Sequence, residues 1–183
     1  MMPSDLAEIL ATHSDTEDFL AEWAIPEYET MLDANRGKGR NHNLIIYGSA
    51  AGKKTLIGIE AKVDEPFKEI VEDYIAKKIA KDPNSNVPKR IAQLTHALFG
   101  NKDVSKLRYQ LIHAVAETLI EAKERGAERA IFIVHEFVSA RMKAINALRN
   151  KADFVEFVEK LTGTKMLFTI NQLKGPFAIC RTW

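Results

Sequence analysis

The chain has 183 residues, 46% of them hydrophobic, with 26 Lys plus Arg against 25 Asp plus Glu. This supports one sizeable core in a single domain spanning 1–183, and the balanced charge excludes a uniformly basic nucleic-acid coat while leaving room for a local basic groove. One cysteine, Cys180, excludes an internal disulfide and suits a reducing, cytoplasmic setting; with five scattered histidines it builds no zinc site. The acidic N-terminal stretch does not read as a signal peptide, and apolar runs such as "AIFIV" are too short to cross a bilayer, so no membrane partner is expected.

In chain order, residues 5–24 read as amphipathic helical material, an N-terminal extension with Leu6, Ile9 and Leu10 in one patch and Phe19, Leu20 and Trp23 in another. Pro26 suits a first helical turn, so "PEYETMLDAN" is expected as a short helix, followed by the basic, glycine-rich loop "RGKGRN". "HNLIIYG" and "KTLIGIEAKV" are strand candidates joined by "SAAGK". Pro66 is expected to start a helix carrying Phe67, Ile70, Val71 and Tyr74 on one face. After the loop "KDPNSNVPK" come a short helix with Ile91, Leu94 and Leu98 and the longest helix, 103–125, stopped at Gly126. "RAIFIVHEF" reads as a covered central strand, 139–161 as a helix broken near Asn150, and "KMLFTI" and "PFAICRT" as two closing strands. The fold class is therefore α/β, a central mixed sheet flanked by helices, without the alternation of a doubly wound nucleotide fold.

Two stretches invite a chemical reading. "GSAAGKK" imitates a phosphate loop, but Gly48 and Gly52 enclose three residues instead of four, and Lys53 is followed by Lys54 instead of a hydroxyl residue. A strand follows it, so no helix N-terminus is available to hold phosphate, and a hairpin turn is expected. In "LIGIEAKVD" the two-residue alternation of a strand sets Glu60, Lys62 and Asp64 on one side and Ile59, Ala61 and Val63 on the other. A carboxylate and an ammonium in so apolar a strand need either each other or a metal. Both alternatives stand at this point.

The combination of "RNHNLIIYG", "GIEAKVDEPF", "LRYQLIHAVAETLIEAKERGA" and "AIFIVHEF" resembles the restriction-endonuclease-like superfamily, named for its P-D…(D/E)-x-K signature. These blocks span roughly residues 40–137 and look most like an uncharacterised bacterial family of that fold. The resemblance implies that Glu60 binds a divalent metal, magnesium or manganese, and that Lys62 activates water and stabilises charge on phosphate. Asn43 stands where such enzymes place a second metal-binding aspartate, a departure that removes a negative charge from the metal site. Glu27, in the short helix, resembles an additional acidic ligand, with a solvated glutamate as the alternative; Asp64 is either a further ligand or a helix cap. Gln110, beside Arg108 and Tyr109, resembles a glutamine some superfamily nucleases carry near the metal.

Gln110, His113 and Glu117 form a polar stripe on the long helix, with a solvent face as the blander expectation for the last two; His135 and Glu136 are read as structural. Arg36, Lys38, Arg40, Lys53 and Lys54 concentrate positive charge around the first strand and suit phosphate contacts. The expected activity is metal-dependent phosphodiester cleavage with DNA as the leading partner. The alternative is a weakened nuclease fold that binds nucleic acid or protein. A homodimer is left open.

Overall fold

The computed structural model describes residues 4–30, 40–137, 144–163 and 177–182. It is an α/β structure in two compact units, Met1–Val63 with Glu117–Ala140 and Phe168–Trp183 in the first, Asp64–Ala116 with Arg141–Leu167 in the second.

The first unit holds a five-stranded mixed sheet in the order β1 (Leu20–Thr30), β2 (Arg40–Ala50), β3 (Lys53–Val63), β4 (Arg129–Phe137), β5 (Phe177–Thr182). β1, β2 and β3 form an antiparallel meander, β4 runs parallel to β3, and β5 returns antiparallel to β4. The N-terminal helix α1 covers only Ser4–Ala11. The expected helical extension to residue 24 and the described part of the helix expected at "PEYETMLDAN", residues 26–30, are both corrected: Leu20 to Thr30 is one long edge strand, and residues 31–35 lie outside the described residues. Pro26 misled because it fits a first helical turn, yet an edge strand also tolerates a residue without an N–H. Between α1 and β1, the buried Arg129 guanidinium donates to the Asp15 carbonyl and lies 3.5 Å from the Asp15 carboxylate, tying this connection to the start of β4.

The turn after β2 is the expected hairpin. Ala51 and Gly52 both take positive φ, 49° and 72°, the combination a two-residue primed turn needs to match strand twist. The phosphate-loop imitation is thus a turn.

Strand alternation sorts the core onto two faces. Ile57 and Ile59 of β3 join Ile46, Ile131 and Ile133 against Leu6 and Leu10 of α1. Leu56 joins Ile45, Tyr47 and Ala130 against Ala122 and Leu119, which belong to the last turns of α4 (Tyr109–Glu124). Gly58 faces this same helix so closely that an added Cβ would lie 2.2 Å from Thr118 Oγ1. Thr118 is buried and β-branched, so it yields poorly. Gly58→Ala should therefore cost about 1–3 kcal/mol by urea denaturation, and adding Thr118→Ala should recover most of it. A Gly58→Ala protein as stable as wild type would show that α4 is not seated this tightly.

The second unit contains α2 (Val71–Lys81), α3 (Val87–Phe99), α5 (Ala144–Thr162) and the first turns of α4. Pro88 opens α3 and Gly100 closes it, as expected from their backbone preferences. Pro66 does not open a helix; α2 begins at Val71. The backbone of 64–68 is held by side chains instead. Asn150 Nδ2 donates to the Glu65 carbonyl at 2.9 Å and its Oδ1 accepts from Phe67 N at 3.1 Å. Asn146 Nδ2 donates to the Asp64 carbonyl at 2.9 Å, and Gln110 Oε1 accepts from Lys68 N at 3.2 Å. Asn150 is therefore a buried anchor inside a continuous α5, not a break. α4 starts at Tyr109 instead of 103, leaving α5 longer. "KMLFTI" lies outside the described residues.

Candidate functional site

Glu60 and Lys62 are two residues apart on β3 and share the face that meets α4, as strand alternation requires. Lys62 Nζ lies 3.1 Å from Glu60 Oε1, with the residues 2% and 5% exposed. An ion pair this deep contributes little net stability, because desolvation offsets the attraction, but losing one member leaves a buried charge. Glu60 is paired with Val134 and Lys62 with Glu136 across the parallel ladder to β4.

Asn43 lies on the neighbouring strand, one step beyond the last β2–β3 partners Leu44 and Ile59, hence at the level of Glu60. Its Oδ1 accepts from Ala61 N at 2.8 Å, so the side chain continues the hydrogen bonding of β3 where the backbone ladder stops. Glu27 lies between the β1–β2 partners Pro26–Leu44 and Tyr28–His42, which brings it level with Asn43. Glu27, Asn43 and Glu60 thus occupy one row across three strands. Glu27 itself is exposed and, on β1, has φ of 49°. Its expected helical setting is corrected, while its level in the sheet follows from register.

This row is also where alternation breaks. Ala24 and Leu44 pack toward α1, but Tyr28 packs with Ile45 and Tyr47 toward α4. A reversal between Pro26 and Tyr28 accounts for this, and the left-handed residue Glu27 supplies it. His42, opposite Tyr28, follows onto the same face and brings Nε2 to 3.9 Å from Glu117 Oε2, both side chains 1% exposed. Thr30 Oγ1 donates to Glu121 Oε2 at 3.3 Å. Arg125 binds Glu121 through Nε, donates to Tyr28 Oη at 2.7 Å and lies 4.5 Å over the Trp23 ring. Burial opposes the Arg125 charge, but Glu121 and Tyr28 outweigh it and raise its pKa above the usual arginine value.

Glu117 is therefore buried instead of solvent-facing, and His113 is buried too. Pattern alone missed them because α4 is covered over its whole length from Gln110 to Thr118, so polarity there marks internal partners and not solvent. His42 carried no sequence signal, since regular alternation from Leu44 and Ile45 would set it toward α1, away from Glu117.

Asp64 opens the second unit. It follows the end of β3 with φ of 52°, and its Oδ1 accepts from Asn146 Nδ2 at 3.2 Å. Gln110 belongs, like Asp64, to the second unit. Lys53 and Lys54 are exposed at the hairpin end of β3, roughly 20 Å from Glu60 at the usual rise per strand residue. The backbone of Arg40 begins β2 at the opposite end of the hairpin, so these cations do not form one stripe. Arg36 and Lys38, with the side chain of Arg40, lie outside the described residues.

Among the described residues, no group of three or more His, Cys, Asp or Glu side chains is arranged to hold a metal ion. The donor types nevertheless suit a hard cation. The Asn43 amide oxygen has a second lone pair beside the one taken by Ala61, and Glu60 offers a carboxylate at the same level. Magnesium commonly takes one or two protein oxygens and keeps its remaining waters.

The fold and site define an α/β protein whose mixed sheet carries a buried Glu–Lys pair on its third strand. A family model described as "Domain of unknown function (DUF6946)" matches residues 1–181, and the chain belongs to that family. Neither a curated protein nor a solved structure matches it. No helix among the described residues is long and apolar enough to cross a membrane.

Proposed function

We propose that this protein is a divalent-metal-dependent nuclease of the restriction-endonuclease-like type, with DNA as its leading substrate. The observation that carries the reading is the level placement of Asn43 beside Glu60, with Lys62 ion-paired to that carboxylate on the same strand face. Glu60 and Asn43 would hold magnesium or manganese, which when bound polarises phosphate and lowers the pKa of a coordinated water. Asn43, by binding Ala61 N, keeps β2 and β3 together at the level of Glu60. Lys62 supplies three donors and a positive charge for the phosphoryl oxygens.

A second reading, a nuclease fold retained for binding nucleic acid or protein, is favoured by the burial of both Glu60 and Lys62. It treats the pair as structural. Incubation of supercoiled and linear duplex with protein in magnesium or manganese separates the two. Nuclease action predicts nicking that Glu60→Gln lowers by on the order of 10²-fold or more. Duplex binding without cleavage, weakened by salt and with a slope flattened by about 2 on replacing Lys53 and Lys54 by Ala, supports the second reading. The absence of both cleavage and binding at low salt would remove nucleic acid as the partner.

A further inference from the structure

Lys62 has a second carboxylate beside it. In the parallel ladder Lys62 is the partner of Glu136, just as Leu56 is the partner of Ala130 and Ile57 of Ile131. The core clusters fix the faces: Leu56 and Ala130 both pack toward α4, whereas Ile57 and Ile131 both pack toward α1. Counting by twos from Leu56 and from Ala130 brings Lys62 and Glu136 to the α4 face as neighbours on adjacent strands, about 4.8 Å apart at the backbone. Glu136 is 7% exposed, so this buried lysine is flanked by Glu60 along its own strand and by Glu136 across the ladder.

We infer that Glu136 is a positioning residue of the site: it takes over the Lys62 ammonium when a cation engages the Glu60 carboxylate. The inference rests on the nuclease reading above. Glu60 is paired with Lys62 through Oε1 in this structure, so a cation drawn to that carboxylate weakens its hold on the ammonium. A buried ammonium that simply lost its carboxylate would oppose the exchange. Lys62 has a long, flexible stem and three donors, and Glu136 offers it a buried carboxylate on the same face, so the exchange leaves no charge stranded. Glu136 thus acts on the cation through Lys62.

Two measurements test this. Thermal melting in chelator reads the carboxylates without any metal. Glu60→Gln and Glu136→Gln should each be tolerated better than their combination, with the double variant falling well below the sum, since only then does Lys62 lose both of these carboxylates. Placing the same changes on Lys62→Met should abolish the excess. Additive losses in the Lys62 background would overturn the inference. Calorimetric titration with manganese reads the exchange itself: Glu136→Gln should weaken binding by about tenfold, and Lys62→Met should restore it in the double variant. Wild-type protein that binds manganese as tightly as Glu136→Gln overturns the exchange alone. Wild-type protein that binds neither magnesium nor manganese overturns the nuclease reading and the exchange together. Should Glu136→Gln fail to fold, Glu136→Asp, which keeps the charge but shortens its reach, should show the same weakening; unchanged affinity there also overturns the exchange.

Discussion

Lys62→Met should lower stability by about 3–5 kcal/mol in urea denaturation at neutral pH, the cost typical of removing one member of a buried ion pair. Methionine fills much of the same space, so packing loss is small. The cost comes from charge. Glu60, 3.1 Å from the ammonium, and Glu136, its ladder partner, are both buried carboxylates that would lose their neighbouring cation. Lys54→Met, at an exposed position of the same strand, is the control and should stay within about 0.5 kcal/mol of wild type. Equal effects of the two substitutions would mean that Lys62 carries no buried charge, and the site would lose its basis.

The second large effect concerns Asn43→Asp. An aspartate retains the oxygen that accepts from Ala61 N at 2.8 Å, so the junction of β2 and β3 should survive. It adds a negative charge level with Glu60, which in chelator should reduce stability through like-charge repulsion. With magnesium or manganese the sign reverses. Screened attraction to a divalent ion amounts to a few kcal/mol at an effective dielectric of about 20, so affinity should rise roughly tenfold to a hundredfold. Cleavage should rise with it. Asn43→Ala separates structure from charge: it removes the acceptor for Ala61 N and should cost about 1–3 kcal/mol whether or not metal is present. If Asn43→Asp alters neither metal affinity nor cleavage and Glu60→Gln is silent as well, the Glu-x-Lys pattern is a structural ion pair.

How much of this was legible beforehand follows from the range of each signal. The β3 pattern "LIGIEAKV", the apolar β4 strand, the hairpin at Ala51–Gly52 and the pairing of Glu60 with Lys62 are all present in the sequence, because alternation and turn chemistry act within a few residues. The break in parity at Glu27 was not legible. It needs two strands in register, and the pairing of Tyr28 with His42 goes with the placement of His42 on the face of Glu117. The same holds for 64–68, where Pro66 looks like a helix start but Asn146, Asn150 and Gln110 satisfy the backbone from far along the chain. Glu136 looked structural as a strand-end residue and became the neighbour of Lys62 only through the β3–β4 ladder. Local preferences thus set β3, β4, the hairpin between β2 and β3, and the Glu–Lys pair. The partners of that pair come from strand register, which brings together residues more than seventy positions apart and leaves no mark on the spacing of either segment.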